Sequence, residues 1–573
     1  MQSTFSGLNT MVNGIYTNRL GLNTVGHNIS NSNTAGYSRQ TARAAATPSS
    51  EVYTLTGASQ VGNGSTVTAI TRARDIYADR QFWKENSTNG YYTGKASNYA
   101  KIESIFNDSD NSGIQDAMEK FYQAWQDCST TASTDTSRQN VINAGQNFAE
   151  RLQTAASQVK EQIASLYDDI SLSVEKINTM MGQVVELNKN IAGIEATGAN
   201  ANDLRDQRDL IVDELSNLTD ITVYEGSNGM YTLVSNGTTL VNGITKLDLE
   251  MSAPSNNTTY SLSDYNIIIK QTGTVYAPGN GELKAQFEAI DEDKGHIDDL
   301  ASMAAFMFTT LNDQHKAGYG IDGNKDNPLD PDDLATTGLN FYGEKDETYT
   351  WDAEKGLQVT KNGNTETLSG MQVLEKLVVN SELTATDGHK KLATRSAERD
   401  SDGYIIKLDT SGNKIEPIIE QAGKKVINPD YVNATTVKSV NGTGDGSNAV
   451  WAAALFNCEM DKTSPEVTLP AAGQPVGDNP ARTIGKGSLY SYYNTNMTTM
   501  GSDTSNMKGR VTFQKGVMEQ VTNLRSSTSG VNWDEELSNM IMFQQGYSAC
   551  SRCLTTMDEC LDKLINGTGT VGR

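Results

Sequence analysis

Basic residues are the first scarcity. The chain of 573 residues has 46 Lys and Arg against 70 Asp and Glu, a formal net charge of −24. Nucleic-acid phosphates and anionic membrane surfaces are bound by clustered Lys and Arg, so neither partner is expected. Aromatic residues make up 7% and hydrophobic ones 36%, enough for cores, but elongated ones with much solvated surface. No apolar run approaches the roughly 20 residues that span a bilayer; Met303 to Phe308 and Ala449 to Phe456 are far shorter. The first residues lack a basic start followed by an apolar core, so no cleaved signal peptide is expected.

Residues with chemistry to offer are equally sparse. There are five cysteines, an odd number that suggests no disulfide framework, with Cys128 and Cys458 remote from the rest. Cys550-Ser551-Arg552-Cys553 is a CxxC, yet it sits mid-helix, away from the helix N-terminus that lowers a thiol's pKa. No second CxxC or nearby His completes a zinc site, so these cysteines and Cys560 read as small packing groups. The four histidines, His27, His296, His315 and His389, are scattered. No Gly-x-Ser-x-Gly elbow and no phosphate loop occurs. Asp322, Asn324, Asp326, Asp330 and Asp333 have EF-hand-like spacing, but Asn327 stands where the sharp turn needs Gly, and Asp333 where a longer Glu belongs. They are weak metal candidates. No cofactor and no catalytic group is expected.

What the chain does have is periodicity at both ends. From Val531 to Gly567 two apolar rows repeat every seven residues: Trp533, Met540, Tyr547, Leu554, Leu561 and Phe543, Cys550, Met557, Leu564. Only Glu536 breaks the second row. Such spacing predicts a coiled-coil helix about 50 Å long, with Asn532 able to cap its start. Near the other end Leu8, Ile15, Leu22 and Ile29 lie seven apart, followed by the helix-stopping Ser30-Asn31-Ser32-Asn33 and Gly36. Two helices of similar length, each with one apolar seam, are expected to pair with each other and with neighbouring copies.

Between them the pattern alternates. A β-rich strip covers Val52 to Leu55 and Val61 to Ile70; helices follow from Asp75 to Phe106, Ile114 to Trp125 and about Thr136 to Ala196. The last keeps a 3-and-4 rhythm for about 90 Å, the length of a bundle rod. Asn202 to Leu215 is a short helix whose Arg205 and Asp209 are spaced for an i,i+4 ion pair. Period-two segments predict a small β insertion over 218–281. Leu283 to Leu311 returns to helix. An Asp-, Asn-, Gly- and Thr-rich stretch, 321–443, reads as an outer β-rich insertion with strands at Leu377 to Val379 and Tyr404 to Leu408. Helices then run from about Leu489 to Leu524.

Four stretches carry a specific resemblance. His27-Asn28-Ile29-Ser30-Asn31-Ser32-Asn33-Thr34-Ala35-Gly36-Tyr37-Ser38-Arg39-Gln40 resembles the signature that ends the first helix of flagellar rod and hook axial proteins. Asn202 to Asp209, with Asp206, Gln207, Arg208 and Asp209, narrows the match. So do Gly281-Glu282-Leu283-Lys284 with Leu311-Asn312-x-x-His315, and Gly530 to Glu536 with Phe543-Gln544-Gln545-x-Tyr547. Together they resemble the flagellar hook-associated protein 1 family over both ends and the helical middle, fading between about Ile321 and Thr443.

The expected fold is multidomain α+β. It has paired N- and C-terminal coiled-coil helices (1–37 and 531–573) and a long helical-bundle rod domain with a short β strip (38–217, 282–320 and 444–530). The β-rich domains at 218–281 and 321–443 are inserted into it. The resemblance implies a non-enzymatic axial component, exported through the flagellar type III apparatus and extracellular, that joins hook to filament as a self-assembled ring. It implies as partners other copies of the chain, the hook protein, the next hook-associated junction protein and an export chaperone at the C-terminal helix. The assembly interface would use Leu8, Ile15, Leu22, Ile29, Met540, Phe543, Tyr547, Leu554, Met557, Leu561 and Leu564, and Asn33, Thr34, Gly36 and Tyr37 would be family signature. The alternatives are another axial protein of hook or rod type, or a secreted adhesin or hydrolase carried in 321–443.

Overall fold

The structure, a computed structural model, describes residues 6–54, 57–106, 113–323, 335–352, 356–398, 400, 406–421, 424–434, 436–456 and 488–567. Helix α1 (Ser6–Ser30) leads into a ribbon of four strands, β1 (Gln40–Ala46), β2 (Ser50–Thr54), β3 (Gly57–Val61) and β4 (Ser65–Arg72). β1 pairs antiparallel with β4, and β2 with β3. Helix α2 (Ile76–Ile105) starts where Asp75 accepts a hydrogen bond from the Tyr77 N–H. Then come α3 (Ile114–Thr130), the 61-residue α4 (Asp135–Glu195) and α5 (Asn202–Leu218).

The small β insertion begins with a four-stranded antiparallel meander, β5 (Thr222–Glu225), β6 (Tyr231–Ser235), β7 (Thr238–Asn242) and β8 (Thr245–Lys246). Helix α6 (Glu282–Phe306) continues through a π-helical turn, Met307–Leu311, into α7 (Asn312–Lys316). Beyond it a three-stranded sheet is formed by Glu347–Asp352, Gly356–Lys361 and Asn364–Leu368. Short helices α8 (Met371–Lys376), α9 (Ser381–Thr384), α10 (Pro429–Asn433) and α11 (Ser447–Ala454) lead to two long ones, α12 (Leu489–Ser529) and α13 (Trp533–Gly567).

Three local expectations are corrected. Leu377 to Val379 is not a strand: it follows α8, and Val379 makes only an isolated bridge to Tyr342. Of Tyr404 to Leu408, the described part makes bridges through Lys407 and Leu408 but no strand. Arg205 and Asp209 do not pair with each other. Arg205 turns to Glu195 (2.6 Å) and Glu225, while Asp209 turns the opposite way to Arg72 (2.6 Å). A weak local ion pair loses to two tertiary ones.

One large apolar core runs through the rod, because α4 buries a full stripe from Val141 to Ile191. Residues beyond the π turn belong to the same core. Phe341 and Tyr342 are fully buried among Phe121, Trp125 and Phe308, and the Tyr342 hydroxyl donates to the Gly145 carbonyl (2.8 Å). Gly145 is where the aromatic ring reaches the helix backbone: a Cβ there would stand 2.6 Å from Phe341. Arg138 ties the same region down. It is fully buried, and its guanidinium donates to the carbonyls of His389, Lys390, Leu392 and Ala132.

Asp293, a strongly perturbed carboxyl on these rod helices, offers a pH test. It is 1% exposed on α6, accepts a bond from Asn98 (2.9 Å) on α2, and its other oxygen finds no partner. Burial, with Glu292 adding to it, pushes its pKa up to about 7. The folded state therefore keeps a proton that the unfolded chain releases near pH 4, so stability falls as pH climbs from about 4 to 7. Asp293→Asn is expected to raise the unfolding temperature by several degrees at pH 8 and to change it little at pH 4. Thermal scans at the two pH values check this; equal shifts at both would refute it.

Candidate functional site: the terminal helix pair and its polar joint

Helices α1 and α13 lie against each other, antiparallel, in one fixed register. A Cβ on Gly7 would meet the Met557 side chain, one on Gly14 the Cys550 thiol, and one on Gly21 the Phe543 ring at 2.6 Å. Asn28 completes the row, donating to Glu536 (3.0 Å). Each step of seven up α1 matches a step of seven down α13, the repeat of a heptad seam. The glycines let the two backbones approach closely enough for the large α13 side chains to fill the space.

The α13 half of this contact is the row Phe543, Cys550, Met557 with Glu536 at its start. On α1 the contact runs one position before Leu8, Ile15, Leu22 and Ile29, which stay half-exposed. α1 also packs on the ribbon, Thr17 donating to the Ser65 carbonyl (3.0 Å) and Asn13 to that of Asn63 (3.1 Å). The pair leaves much apolar surface uncovered. Ile541 is 55%, Met542 56% and Ile565 67% exposed, and Trp533, Tyr547 and Leu564 are also open. Contiguous exposed apolar surface of this kind marks an interaction site.

Where the helices meet the rod, polar groups replace the apolar seam. Glu536 is buried, and its second oxygen takes the Arg39 guanidinium at 2.7 Å. The Asn28 side chain, 1% exposed, accepts from the Tyr37 hydroxyl (2.7 Å) and the Gln40 N–H (2.9 Å) and donates to the Gln40 carbonyl. All its hydrogen-bonding capacity is thus spent holding the turn after α1 onto α13. Gly36 permits that turn, with φ +77° against Leu210. Thr34 donates to Asn31 (3.2 Å), and Asn33 is exposed. Asn532 caps α13 by accepting from the Asp534 N–H (3.0 Å), and Trp533 donates to Ser32 (3.0 Å).

Helix α5 supplies the floor of the joint. Asp206 accepts from the Ser38 N–H and from Arg72, both at 2.8 Å. Asp209 binds Arg72 (2.6 Å) and the Tyr231 hydroxyl (2.7 Å), with Arg74 at 3.6 Å. Arg208 donates to Asn188 (2.9 Å) and the Gly229 carbonyl and stacks on the Tyr231 ring at 3.3 Å. Gln207 points to solvent. Burial alone would raise the Asp209 carboxyl, but Arg72, Arg74 and Arg208 hold it below its ordinary range. Burial, with Asp203, Asp206 and Glu536 around it, pushes the Tyr37 hydroxyl well up, so it stays a donor. Arg525 of α12 joins from the far side, on Asp79 (3.1 Å) and Asp213 (2.6 Å). Elements distant in sequence are thus bolted together by charge-assisted bonds.

The structure therefore brings Tyr37, Gly36, Asp206, Arg208 and Asp209 to one joint. Asn28 and Arg39 stand in the signature stretch, but their contacts were not legible there; the residues missed in the sequence are Arg72, Arg74, Arg525 and the glycines of α1. Gly7, Gly14 and Gly21 recur every seven residues, a signal visible without a structure. Of the other candidates, Asp322 accepts from the Thr336 N–H (2.9 Å), while Asn324 and Asp326 lie outside the described residues. No group of three metal-ligating side chains occurs among the described residues. Cys553 and Cys560 are exposed and Cys128 is buried, its thiol pushed up to about 11 by burial. No helix of the described residues is long and apolar enough to cross a membrane.

Comparison with known proteins bears on this geometry. Residues 99–329 match the family described as the flagellar hook-associated protein FlgK helical domain, and 525–567 that described as the flagellar basal body rod FlgEFG protein C-terminal. Flagellar hook-associated protein 1 of Bacillus subtilis (strain 168) is 26% identical over 578 residues, covering 100% of each chain. The protein of that name from Salmonella typhimurium is 27% identical over 584 residues, covering 98% of this chain and 99% of its own. Over its full length the chain is similar to proteins named flagellar hook-associated protein 1. Those relatives are, by their names, hook-associated proteins of the flagellum. The fold agrees: the flagellar hook junction protein FlgK of Burkholderia pseudomallei superposes with a TM-score of 0.57 at 16% identity, covering 78% of this chain and 100% of that one. The α13 half of the terminal pair falls in the second matched region.

Proposed function

We propose that the chain joins hook to filament by assembling with copies of itself into a ring, and that it has no catalytic role. The observation that carries this is the terminal pair: two helices locked in register at one end by the Asn28–Glu536–Arg39 joint, yet presenting open apolar rows along their length. Leu8, Ile15, Leu22, Ile29, Met540, Tyr547, Leu554, Leu561 and Leu564 would be covered by neighbouring copies. Phe543 and Met557 would face α1 within the chain. On this reading residues 1–37 and 531–573 form the axial core, and the rod and the insertions at 218–281 and 321–443 lie outside it. The hook protein and the next hook-associated protein would contact the two rims of the ring. An export chaperone would cover the exposed rows of α13 before transit through the flagellar type III channel to the cell exterior.

Leu554→Asp or Leu561→Asp tests the proposal. Each places a charge at a half-buried position of the α13 row, so cells making the variant are expected to keep hooks but lose attached filaments and shed filament protein. The purified variant should unfold at the wild-type temperature. Attached filaments in the variant would refute the proposal. The match of 525–567 to rod-type axial proteins favours, as a second reading, a place in the hook or rod itself. Gold-labelled antibody at the junction, rather than below it, separates the two.

A further inference from the structure

We propose that copies of this chain also pack side by side through the rod, α12 of one receiving α4 of the next, with Phe513 seated beside Leu172. This deepens the self-assembly reading and rests on it. Phe513 is 72% exposed on a helix whose other side packs on α2. Gly509 and Gly516, four residues before it and three after, carry it between two bare stretches of backbone where an added Cβ would meet nothing within 4 Å. Mid-helix glycine costs about 1 kcal/mol each relative to Ala, and among the described residues no neighbour uses the room it leaves. The groove beside Phe513, about 920 Å³, is lined by Tyr91, Tyr92 and Tyr99 from α2 and by Met507. A bulky apolar side chain standing between open glycines, next to an aromatic groove, is shaped to accept a helix.

Charge identifies the helix. In a chain of net charge −24, residues 504–518 carry Lys508, Arg510 and Lys515 and no acid. Arg510 lies over Tyr92, Lys508 shares an exposed pair with Glu103 (3.4 Å), and Asp503 lies at one end of the groove. The opposite bias occurs on α4, where 161–175 holds Glu161, Asp168, Asp169 and Glu175 and no base. Leu172 is 64% exposed there, with Asp168, Asp169 and Glu175 four before, three before and three after it, hence on the same face; Lys176, four after it, is the single base on that face and leaves it net acidic. α4 packs on α6, α3 and α5, and α12 on α2, so the two patches serve different neighbours. Unlike patches on one molecule pair head to tail and can repeat from copy to copy. A single helix in a groove buries less than the ~1,200 Å² of a stable interface. The contact is therefore weak alone and forms when the terminal helices already hold the copies together.

The test uses two full-length variants, Phe513→Cys and Leu172→Cys, made together in cells with attached filaments and treated with a short bis-maleimide. A covalent dimer of this chain is expected only when both variants are present; each alone controls for the native cysteines. Charge reversal gives a second readout. Arg510→Glu with Lys515→Glu is expected to strip filaments from most cells, and Asp168→Lys with Glu175→Lys in the same chain to restore them. Attached filaments without a mixed dimer would overturn the contact and leave terminal-helix assembly standing, as would failure of the reversed charges to rescue. Capture of a different protein at residue 513 would overturn it too.

Discussion

Asp209→Ala is expected to cost about 3–5 kcal/mol, because removing one member of a buried ionic cluster leaves the rest uncompensated. Asp209 is 1% exposed, and its two oxygens bind Arg72 and Tyr231 with Arg74 at 3.6 Å. Without it, guanidiniums from the ribbon and from α5 face one another, with Asp206 still bonded to Arg72 and Asp79 to Arg74. Asp209→Asn keeps a partner for Tyr231 and should lose less. The damage should localise. Proteolysis is expected near the base of the rod, around β4 and α5, while the aromatic core about Phe121 and Phe341 stays protected. Thermal unfolding and hydrogen exchange read both effects, and a variant as stable as wild type would remove the joint from the account.

Gly21→Leu should separate the terminal helices without touching the rod. The Cβ alone would stand 2.6 Å from the Phe543 ring, and overpacking of this kind costs about 1–3 kcal/mol, more than a two-helix contact can spare. Separation can be read directly through a native thiol. A Cβ at position 14 lies 3.8 Å from that of Cys550, the spacing of a disulfide. Gly14→Cys is therefore expected to bond to Cys550 under mild oxidation, and Gly21→Leu in the same chain to abolish that bond. Shrinking the partner, Phe543→Ala, should restore it. A bond that forms equally in all three chains would show that the glycine seam does not set the pairing.

Much of this molecule was legible in its residues. Long period-3.6 segments gave α2 to α6, because a helix that buries one face must place apolar side chains at fixed intervals. The terminal rows and the Ser30–Gly36 stop were equally readable. The joint was legible only in outline: the residues from Tyr37 and from Asp206 to Asp209 carry the family resemblance, but nothing local says they touch. Arg205 and Asp209 illustrate why. Helical spacing allows them to pair, and the choice between that pair and Glu195 or Arg72 depends on what lies across the fold.

The sequence by itself determined the long helices, the resemblance to hook-associated proteins and the apolar character of both ends, since each is carried by local pattern. Tertiary structure alone decided which face of α1 meets α13. The apolar row from Leu8 to Ile29 looked like the seam, but close helix contact selects the positions with least bulk, Gly7, Gly14 and Gly21. It also turned Glu536 from a flaw in a heptad row into the centre of the joint, because a buried acid is stable only where partners converge on it. Those partners, Asn28 and Arg39, stand some five hundred residues away in the sequence, beyond the reach of any local pattern.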